Sequence, residues 1–368
     1  MAIVPRPGLP RTRPAAVVLG AILLLSTMLL AGCTSTSASP TPAVTATGAS
    51  IYLAPPRDGP YKIGVSNGNG SDPWIGQMVT ELKYAADNVY HDQVSRLTIT
   101  DANGDVGTQL SQINEFVATG CDILLIDPLS PTALNSGIDR AWAAGIQVVV
   151  FNHTVTTTHA ITVTEDQVQI GRIGAQWLAK QLRPGDTVVT LAGTPGDPID
   201  DQRLQGATEV LTGAGISIVG SARTDGDFVR AQAAATNLLA QYPDVNGIYS
   251  ISGNISLGAI QAMQQAGQAV LPIPGEASNG YLKTWQTLSL TQPGFTSVAF
   301  SNTPQLLAQA LGHAIDARRG NDPGQRPTVD IPIITQDILS QNVRTDLADN
   351  FWLPTQLPDS QLKKIYGI

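Results

Sequence analysis

The feature that most constrains the fold of this sequence is a regular alternation of short apolar runs and longer segments with helical spacing, which begins at residue 61. The apolar runs are continuous, which is typical of parallel strands buried on both faces of a sheet. In the first half, the predicted strands are 62–66, 96–100, 123–126 and 147–151. The predicted helices are 74–89, 106–119 and 132–144. Strands that alternate with helices predict βαβ units and a doubly wound parallel sheet.

The same alternation repeats in the second half of the chain. The predicted strands there are 187–191, 216–221, 247–250 and 294–300. The predicted helices are 168–182, 200–213, 228–241, 257–265 and 304–318. A chain of 368 residues is long enough for two domains of ordinary size. We therefore expect an α/β protein with two doubly wound parallel-sheet lobes.

The N-terminal segment has the organisation of a secretory signal. Arginines precede a nearly unbroken apolar run over residues 15–30, which is shorter than the roughly 20 residues that a membrane-spanning helix needs. The run ends in Leu30-Ala31-Gly32-Cys33, which resembles a bacterial lipobox, whose cysteine is lipidated and becomes the new N-terminus. We expect residues 1–32 to be a lipoprotein signal peptide and Cys33 to be the lipidation site. The alternative is an uncleaved signal anchor.

Residues 33–60 are predicted to form a disordered tether. Residues 34–49 are almost all Ser, Thr, Ala, Pro and Gly, and such a segment buries too little apolar area to offset its ordering entropy. A lipid on Cys33 would anchor the protein outside the cytoplasm, in the periplasm or at the outer face of the plasma membrane. The other cysteine, Cys121, begins an apolar run and is predicted to be a buried, unreactive thiol.

Charge and composition argue against several classes of function. The chain has 29 Asp and Glu residues against 21 Lys and Arg residues, a formal net charge of −8, so nucleic acid is not an expected partner. Two cysteines and four histidines without the spacing of a common site predict no metal centre, and no cofactor is expected. The sequence has no H-E-x-x-H and no G-x-x-x-x-G-K-[ST] motif. An enzyme is therefore not expected, and a secreted enzyme stays only as a distant alternative.

The predicted functional residues are polar side chains that follow the carboxyl ends of strands, where ligands of such sheets bind. They are Asp72, Trp74, Asp127, Asn152, His153, Asp166, Arg203, Ser252, Asn254, Glu276 and Ser301. Carboxylates and amides can bind neighbouring hydroxyl groups, and an indole can pack on the apolar face of a sugar ring. This set predicts a small neutral sugar or polyol as the ligand.

Several of these residues also have a purely structural interpretation. Asp72 could be the N-cap of the helix that follows it. Trp74 could be a core residue and Asp127 could form a turn before a proline. His153 could be an ordinary polar loop residue, and Arg203 could form an ion pair on its own helix.

Six segments carry a resemblance to a known family. They are residues 63–66 with 72–74, 123–128, 148–153, 203–206, 242–249 and 257–263. In their order and spacing the chain resembles the type I periplasmic solute-binding proteins of ABC importers, specifically the ribose/galactose-binding group. The resemblance extends over about residues 61–343.

The resemblance implies a conserved scaffold with a changed pocket. It places the stacking aromatic of the family at Trp74 and its arginine at Arg203. The family's Asn before Pro becomes Asp127, and its Asp-Arg pair becomes Asn152-His153. The later family positions fall on Ser252, with Asn254 just beyond, on Glu276 and on Ser301. These departures mean that no particular sugar is implied.

The resemblance also implies two lobes joined by three crossing segments, near 163–166, 300–302 and 331–334. The N-terminal lobe would comprise residues 61–164 plus 303–330. The C-terminal lobe would comprise residues 165–302 plus 331–368. A ligand would be captured by closure of the lobes and delivered to an ABC permease in the membrane, and we expect a monomer. A receptor of the same fold that feeds a sensor kinase or chemoreceptor is the main alternative.

Overall fold

The structure of the protein is a computed structural model, which describes residues 50–368. The predicted signal peptide, the predicted lipidation site Cys33 and residues 33–49 of the predicted tether lie outside the described residues. In residues 50–368, no helix is long and apolar enough to cross a membrane.

Residues 50–60, at the end of the predicted tether, contact the folded body. The Tyr52 hydroxyl donates a hydrogen bond to Asp322 (2.9 Å). Ala54 N donates to Gln147 Oε1 (2.9 Å), and Gln147 Nε2 donates to Tyr52 O (3.0 Å). This part of the predicted tether is therefore packed against the folded body.

Five parallel strands form the first sheet, in the order β2-β1-β3-β4-β5. They are β1 (Tyr61–Asn67), β2 (Val94–Asp101), β3 (Ile123–Ile126), β4 (Gln147–Phe151) and β5 (Ile161–Val163). Every residue of β3, β4 and β5 is buried, as expected for strands covered on both faces. Four of these strands confirm the sequence prediction, and β5 is an addition to it.

The helices of the first half are α1 (Pro73–Tyr84), which continues into a π-helical turn (Ala85–Val89), α2 (Val106–Ala118) and α3 (Asn135–Ala143). Asp72 and Asp105 begin α1 and α2 by accepting hydrogen bonds from Trp74 N (2.7 Å) and Thr108 N (2.6 Å). The helix predicted from residue 132 begins later, because residues 131–134 form turns.

The second half continues the alternation. Its elements are α4 (Gln167–Gln181), β6 (Thr187–Ala192), α5 (Pro198–Gly213), β7 (Ser217–Arg223), α6 (Phe228–Gln241), β8 (Gly247–Ser250), α7 (Gly253–Gln265), β9 (Gly275–Glu276) and α8 (Asn279–Thr291). Strands β7, β6 and β8 form a parallel sheet in that order. Helix α8 is not among the predicted elements.

The chain ends with β10 (Ala299–Phe300), α9 (Leu306–Arg318), β11 (Ile333–Ile334), α10 (Leu339–Asn342) and α11 (Asp359–Tyr366). Strand β10 pairs parallel with β9 and antiparallel with β11. The strand predicted over 294–300 is therefore limited to its last two residues. Ile248 N of β8 donates to Pro272 O (3.0 Å), so the segment before β9 lies beside β8.

Apolar side chains fill three clusters, two of which cover opposite faces of the first sheet. Ile123 and Leu125 face a cluster with α1 and α9, whereas Leu124 and Ile126 face one with α2 and α3. The third cluster contains the apolar residues of α4–α8, of the strands of the second half and of the C-terminal segment. The predicted α/β fold with parallel sheets is confirmed, and its strand ends define where a ligand can bind.

Candidate functional site

A cavity of about 780 Å³ lies at the carboxyl ends of β3, β4 and β5. One wall is made of Thr162 within β5 and of residues that follow the three strands: Pro128, Leu129, Pro131, Asn152, His153, Thr154 and Thr164. The other sides are Glu165, Asp166, Gln167, Asp197, Pro198, Ile199, Gln202 and residues 326–329. The lining combines amide, hydroxyl and carboxylate groups, the imidazole of His153 and the guanidinium of Arg326 with small apolar surfaces. This is a suitable environment for a polar small molecule.

Asp127, Asn152 and His153 form a connected group at this edge of the sheet. His153 Nδ1 lies 2.7 Å from Asp127 Oδ1, and Asn152 Nδ2 donates to the same carboxylate at 3.3 Å. Asn152 has a φ of 62°, a left-handed conformation that asparagine tolerates better than most residues. The Asp127 carboxylate contacts the imidazole and can orient it. Asp127 is almost fully buried and does not line the cavity.

Opposing effects set the charge of His153. Its burial lowers the pKa, but the hydrogen bond and charge of Asp127, together with the charge of Asp197, raise the pKa above its ordinary value. Asp197 is the N-cap of α5 and lines the cavity with His153. The cavity therefore places an imidazole that is protonated more readily than that of an ordinary histidine near a carboxylate on another element.

Glu165 connects the segment after β5 to the segment after β10. Its side chain is buried, with the residue 3% exposed, and Oε1 accepts a hydrogen bond from Thr303 N (2.7 Å). Burial raises the pKa of Glu165 to about 8, against the lowering effects of Thr303 and of the Arg203 charge. Oε2 is buried and has no hydrogen-bond partner among the described residues. The adjacent Asp166 is exposed and caps α4 by accepting from Gln169 N (2.9 Å).

Arg203 lies in a buried network on the second half of the chain. Its Nε donates to Gln167 Oε1 (2.8 Å), and its Nη1 donates to Ile251 O (3.0 Å) and Glu276 Oε1 (3.2 Å). The guanidinium also lies 5.8 Å from the centre of the Phe300 ring. The ion pair thus forms with Glu276 and not with an acid of its own helix, and neither partner lines the cavity.

Two glycines bring the helices that carry this network together. A Cβ atom on Gly171 of α4 would overlap the carbonyl oxygen of Arg203, and one on Gly206 of α5 would overlap that of Val168. The two helices therefore cross in close backbone contact, which places Gln167 of α4 within hydrogen-bond distance of Arg203 on α5.

The predicted residues at the first strand end have structural roles. Asp72 is exposed and is the N-cap of α1, which agrees with the structural role considered for it from the sequence. Trp74 is 8% exposed, packs in the cluster of α1 and α9, and donates from Nε1 to Asn302 O (2.9 Å). Neither residue lines the cavity.

The remaining predicted residues also lie away from the cavity wall. Ser252 precedes α7 without a side-chain capping bond, and Asn254 is exposed in the first turn of that helix. Ser301 is fully buried, and its hydroxyl has no partner among the described residues. Of the predicted set, the cavity brings together Asn152, His153 and Asp166.

Sequence reasoning missed the residues that close the cavity from the far side. Asp197 and Pro198 repeat the Asp-Pro helix start of Asp72 and Pro73, so that signal could have identified them. Residues 326–329 carry no such local signal. They reach the site because Thr162 N of β5 donates to Gln325 O (2.8 Å), which holds the loop beside the sheet.

Two features with possible reactivity prove to be structural. Residues 64–68 match the G-x-S-x-G pattern of some hydrolases, but Ser66 is fully buried and its hydroxyl donates to Gln112 (2.9 Å). Cys121 is buried, and burial raises the pKa of its thiol to about 12. In residues 50–368, no group of His, Cys, Asp and Glu side chains could hold a metal ion.

Comparisons with known proteins agree with this architecture. The family described as "Periplasmic binding protein domain" matches residues 63–318. The ribose import binding protein RbsB of Bacillus subtilis is 24% identical over 257 residues, which cover 70% of this chain and 81% of that protein. The xylitol-binding protein of Mycolicibacterium smegmatis is 26% identical over 271 residues, 72% of this chain and 75% of that protein. The match to RbsB of Escherichia coli covers 61% of that protein.

Solved structures of the same fold include a periplasmic ribose ABC transporter protein of Conexibacter woesei. Its TM-score is 0.67 at 22% identity, and the alignment covers 78% of this chain and 95% of that one. A periplasmic solute-binding protein of Actinobacillus succinogenes with bound D-allose has a TM-score of 0.66 at 20% identity, covering 76% of this chain and 99% of that one. With its family match over residues 63–318, which is most of the α/β body, the chain belongs to the periplasmic binding protein domain family.

Proposed function

We propose that the protein is the extracytoplasmic substrate-binding component of an ABC importer and that it captures a small neutral sugar or polyol. The observation that carries this proposal is the cavity at the carboxyl ends of β3–β5, where several hydrogen-bonding side chains converge on a polar space. Relatives named for ribose, xylitol and D-allose support the ligand class.

Capture would occur by closure of two lobes. We propose residues 61–164 plus 303–330 as the N-terminal lobe and residues 165–302 plus 331–368 as the C-terminal lobe. Residues of both proposed lobes line the cavity. A ligand that contacts both walls favours the closed state only to the extent that it binds the closed state more tightly than the open state. The short crossings that follow β5 and β10 support this division.

The predicted ligand-binding residues have different parts in this proposal. Asn152, His153 and Asp166 would contact the ligand directly, and Asp127 would orient His153. Arg203 and Glu276 would support the opposite wall through Gln167. The other predicted residues do not line the cavity and could contact a ligand only after the lobes move. These residues are Asp72, Trp74, Ser252, Asn254 and Ser301.

The ligand class can be tested by calorimetry and thermal unfolding. The binding heat and the unfolding temperature would be measured with D-ribose, D-allose, xylitol and myo-inositol, and with amino acids at the same concentrations. A true ligand raises the unfolding temperature in proportion to the logarithm of its concentration above Kd. Saturable stabilisation by a polyhydroxy compound is expected, whereas stabilisation by amino acids alone would contradict the proposal.

Lipid anchoring through Cys33 is the second part of the proposal and depends on the lipobox-like sequence. The full-length chain would be expressed in a bacterial host, and the mature N-terminus would be analysed by mass spectrometry. We expect the wild type in the membrane fraction to begin at an acylated Cys33, and a Cys33→Ser variant to carry no lipid and to keep residues 1–32. A wild type whose Cys33 is unacylated, or that keeps residues 1–32, would contradict lipid anchoring.

A further inference from the structure

The C-terminal segment 344–357 lies beyond the region matched by the family, which ends at residue 318. It follows α10 and precedes α11, and it contributes only an isolated bridge to regular secondary structure. None of its residues lines the cavity. Its contacts nevertheless extend to elements on both sides of the proposed hinge.

One side of this segment is attached to α8 and the residues before it. Asn279 is fully buried, and its Nδ2 donates to Arg344 O (2.6 Å) and Leu347 O (2.9 Å). Asn279 N donates to Phe351 O (2.7 Å), and Leu353 N donates to Ala277 O (2.9 Å). These bonds connect the segment to the proposed C-terminal lobe.

The other side is attached to α1 and to the start of α9. Gln77 Nε2 donates to Trp352 O (2.9 Å), and Trp352 N donates back to Gln77 Oε1 (2.8 Å). Gln305 Nε2 donates to Pro354 O (2.9 Å), and Thr355 donates to Glu81. Gln77 and Gln305 are buried, so these bonds are partly shielded from water.

Side chains of the segment alternate between two hydrophobic clusters. Phe351 and Leu353 belong to the cluster of the second half, whereas Trp352 packs against the cluster of α1, α9 and the first sheet. An extended chain points successive side chains in opposite directions, so one short segment can pack into both clusters at once.

We infer that residues 344–357 form a strap, a non-covalent connection between the two lobes that limits how far they open. The inference rests on the proposed lobe closure. Opening would separate Gln77 from Trp352 and remove Trp352 from its cluster, so the strap opposes the open state without contact with the ligand. A narrower range of opening raises the fraction of binding-competent protein, and hence the apparent affinity.

The test measures the distance between the lobes directly, in the absence of any sugar. Spin labels would be attached to Ala118→Cys on α2 and Ala233→Cys on α6, two exposed positions. The background would carry Cys33→Ser and Cys121→Ser, so that no native thiol takes a label. The strap variants are Gln77→Ala and Trp352→Ala. The matched control is Gln147→Ala, because the Gln147 amide makes the same two-way pairing with backbone groups of residues 52 and 54, away from the strap.

We expect Gln77→Ala to widen the distribution of label distances at least about twofold, with a shift to longer distances, and Gln147→Ala to leave it unchanged. Wild-type distributions in both strap variants, with intact circular dichroism spectra, would overturn the inference. If Trp352→Ala does not fold, Gln77→Ala decides. Addition of D-ribose or xylitol is a separate arm: a widened distribution without a sugar response supports the strap and contradicts the proposed ligand class.

Discussion

The charge of His153 depends on two carboxylates that reach it from different elements, Asp127 beside it and Asp197 on α5. Because the pKa of folded His153 lies above the ordinary 6.5, its protonation adds stability that is fully present below about pH 6.5 and is lost as the pH rises through the folded pKa. The loss of stability of a His153→Gln variant, relative to the wild type, should therefore be larger at acidic pH than at alkaline pH. Thermal unfolding at pH 5.5 and pH 8.5, values that bracket the ordinary pKa of about 6.5, measures this difference.

His313 on α9 provides the matched control, because burial lowers its pKa. Protonation of His313 therefore opposes folding as the pH falls below about 6.5. A His313→Gln variant should gain stability relative to the wild type at pH 5.5, the opposite sign to His153→Gln. The same sign in both variants would mean that Asp127 and Asp197 do not stabilise the imidazolium.

The pH dependence of stability that Glu165 contributes has the same sign as that of His153 and the opposite sign to that of His313. The folded pKa of Glu165, about 8, exceeds the ordinary 4.5, so the folded state retains a proton that the unfolded chain has lost. The free energy of unfolding should fall as the pH rises from about 4.5 to 8 and then level off. Glu165→Gln keeps an oxygen for Thr303 N but cannot ionise. We expect it to be more stable than the wild type at pH 8.5 by at least about 1 kcal/mol, and urea unfolding across this range would test it.

At the scale of elements, the crossing of α4 and α5 depends on the missing side chain of Gly206. A Gly206→Ala methyl would overlap the Val168 carbonyl, so the helices must separate, at a cost of about 1–3 kcal/mol or more. Gly76→Ala on α1 is the control, since its methyl would have no atom within 4 Å and should stabilise the helix by roughly 0.5–1 kcal/mol. Chemical denaturation of both variants measures the contrast, and similar effects in both would refute the close crossing.

Elements with a local signal were predictable, whereas elements made by distant partners were not. Buried strands such as β3 and β4 are continuous apolar runs, and α8 could have been found from Ser278 at its N-cap and the spacing of Tyr281, Trp285 and Leu288. Strands of two or three residues, such as β5 and β9, owe their conformation to pairing and carry no pattern of their own.

The same limit applies to the site. Sequence reasoning selected Asn152, His153 and Asp166, which line the cavity, because each follows a strand or starts a helix. It could not pair Arg203 with Glu276, which lies 73 residues away. It also could not bring residues 326–329 to the cavity. Those relations are set by tertiary packing, which a single sequence shows only indirectly.

At the scale of the whole molecule, the cavity exists only because separate parts of the chain meet. Its walls come from the first sheet, from the start of α5 and from a loop after α9. A ligand that contacts one wall gains the same energy in open and closed states and drives no closure. Lobe closure therefore requires that residues on both walls contribute to affinity.

His153 and Gln202 test that requirement, because they line the cavity from the first sheet and from α5 respectively. For a polyhydroxy ligand found in the screen, His153→Ala and Gln202→Ala should each weaken binding by about 1–3 kcal/mol, since each leaves ligand hydroxyls without a partner. Gln205→Ala is the matched control, an exposed glutamine of α5 outside the cavity lining, and should bind normally. Isothermal titration calorimetry measures all three. Loss confined to one wall would show that the ligand binds a single lobe and that closure is not driven by its contacts.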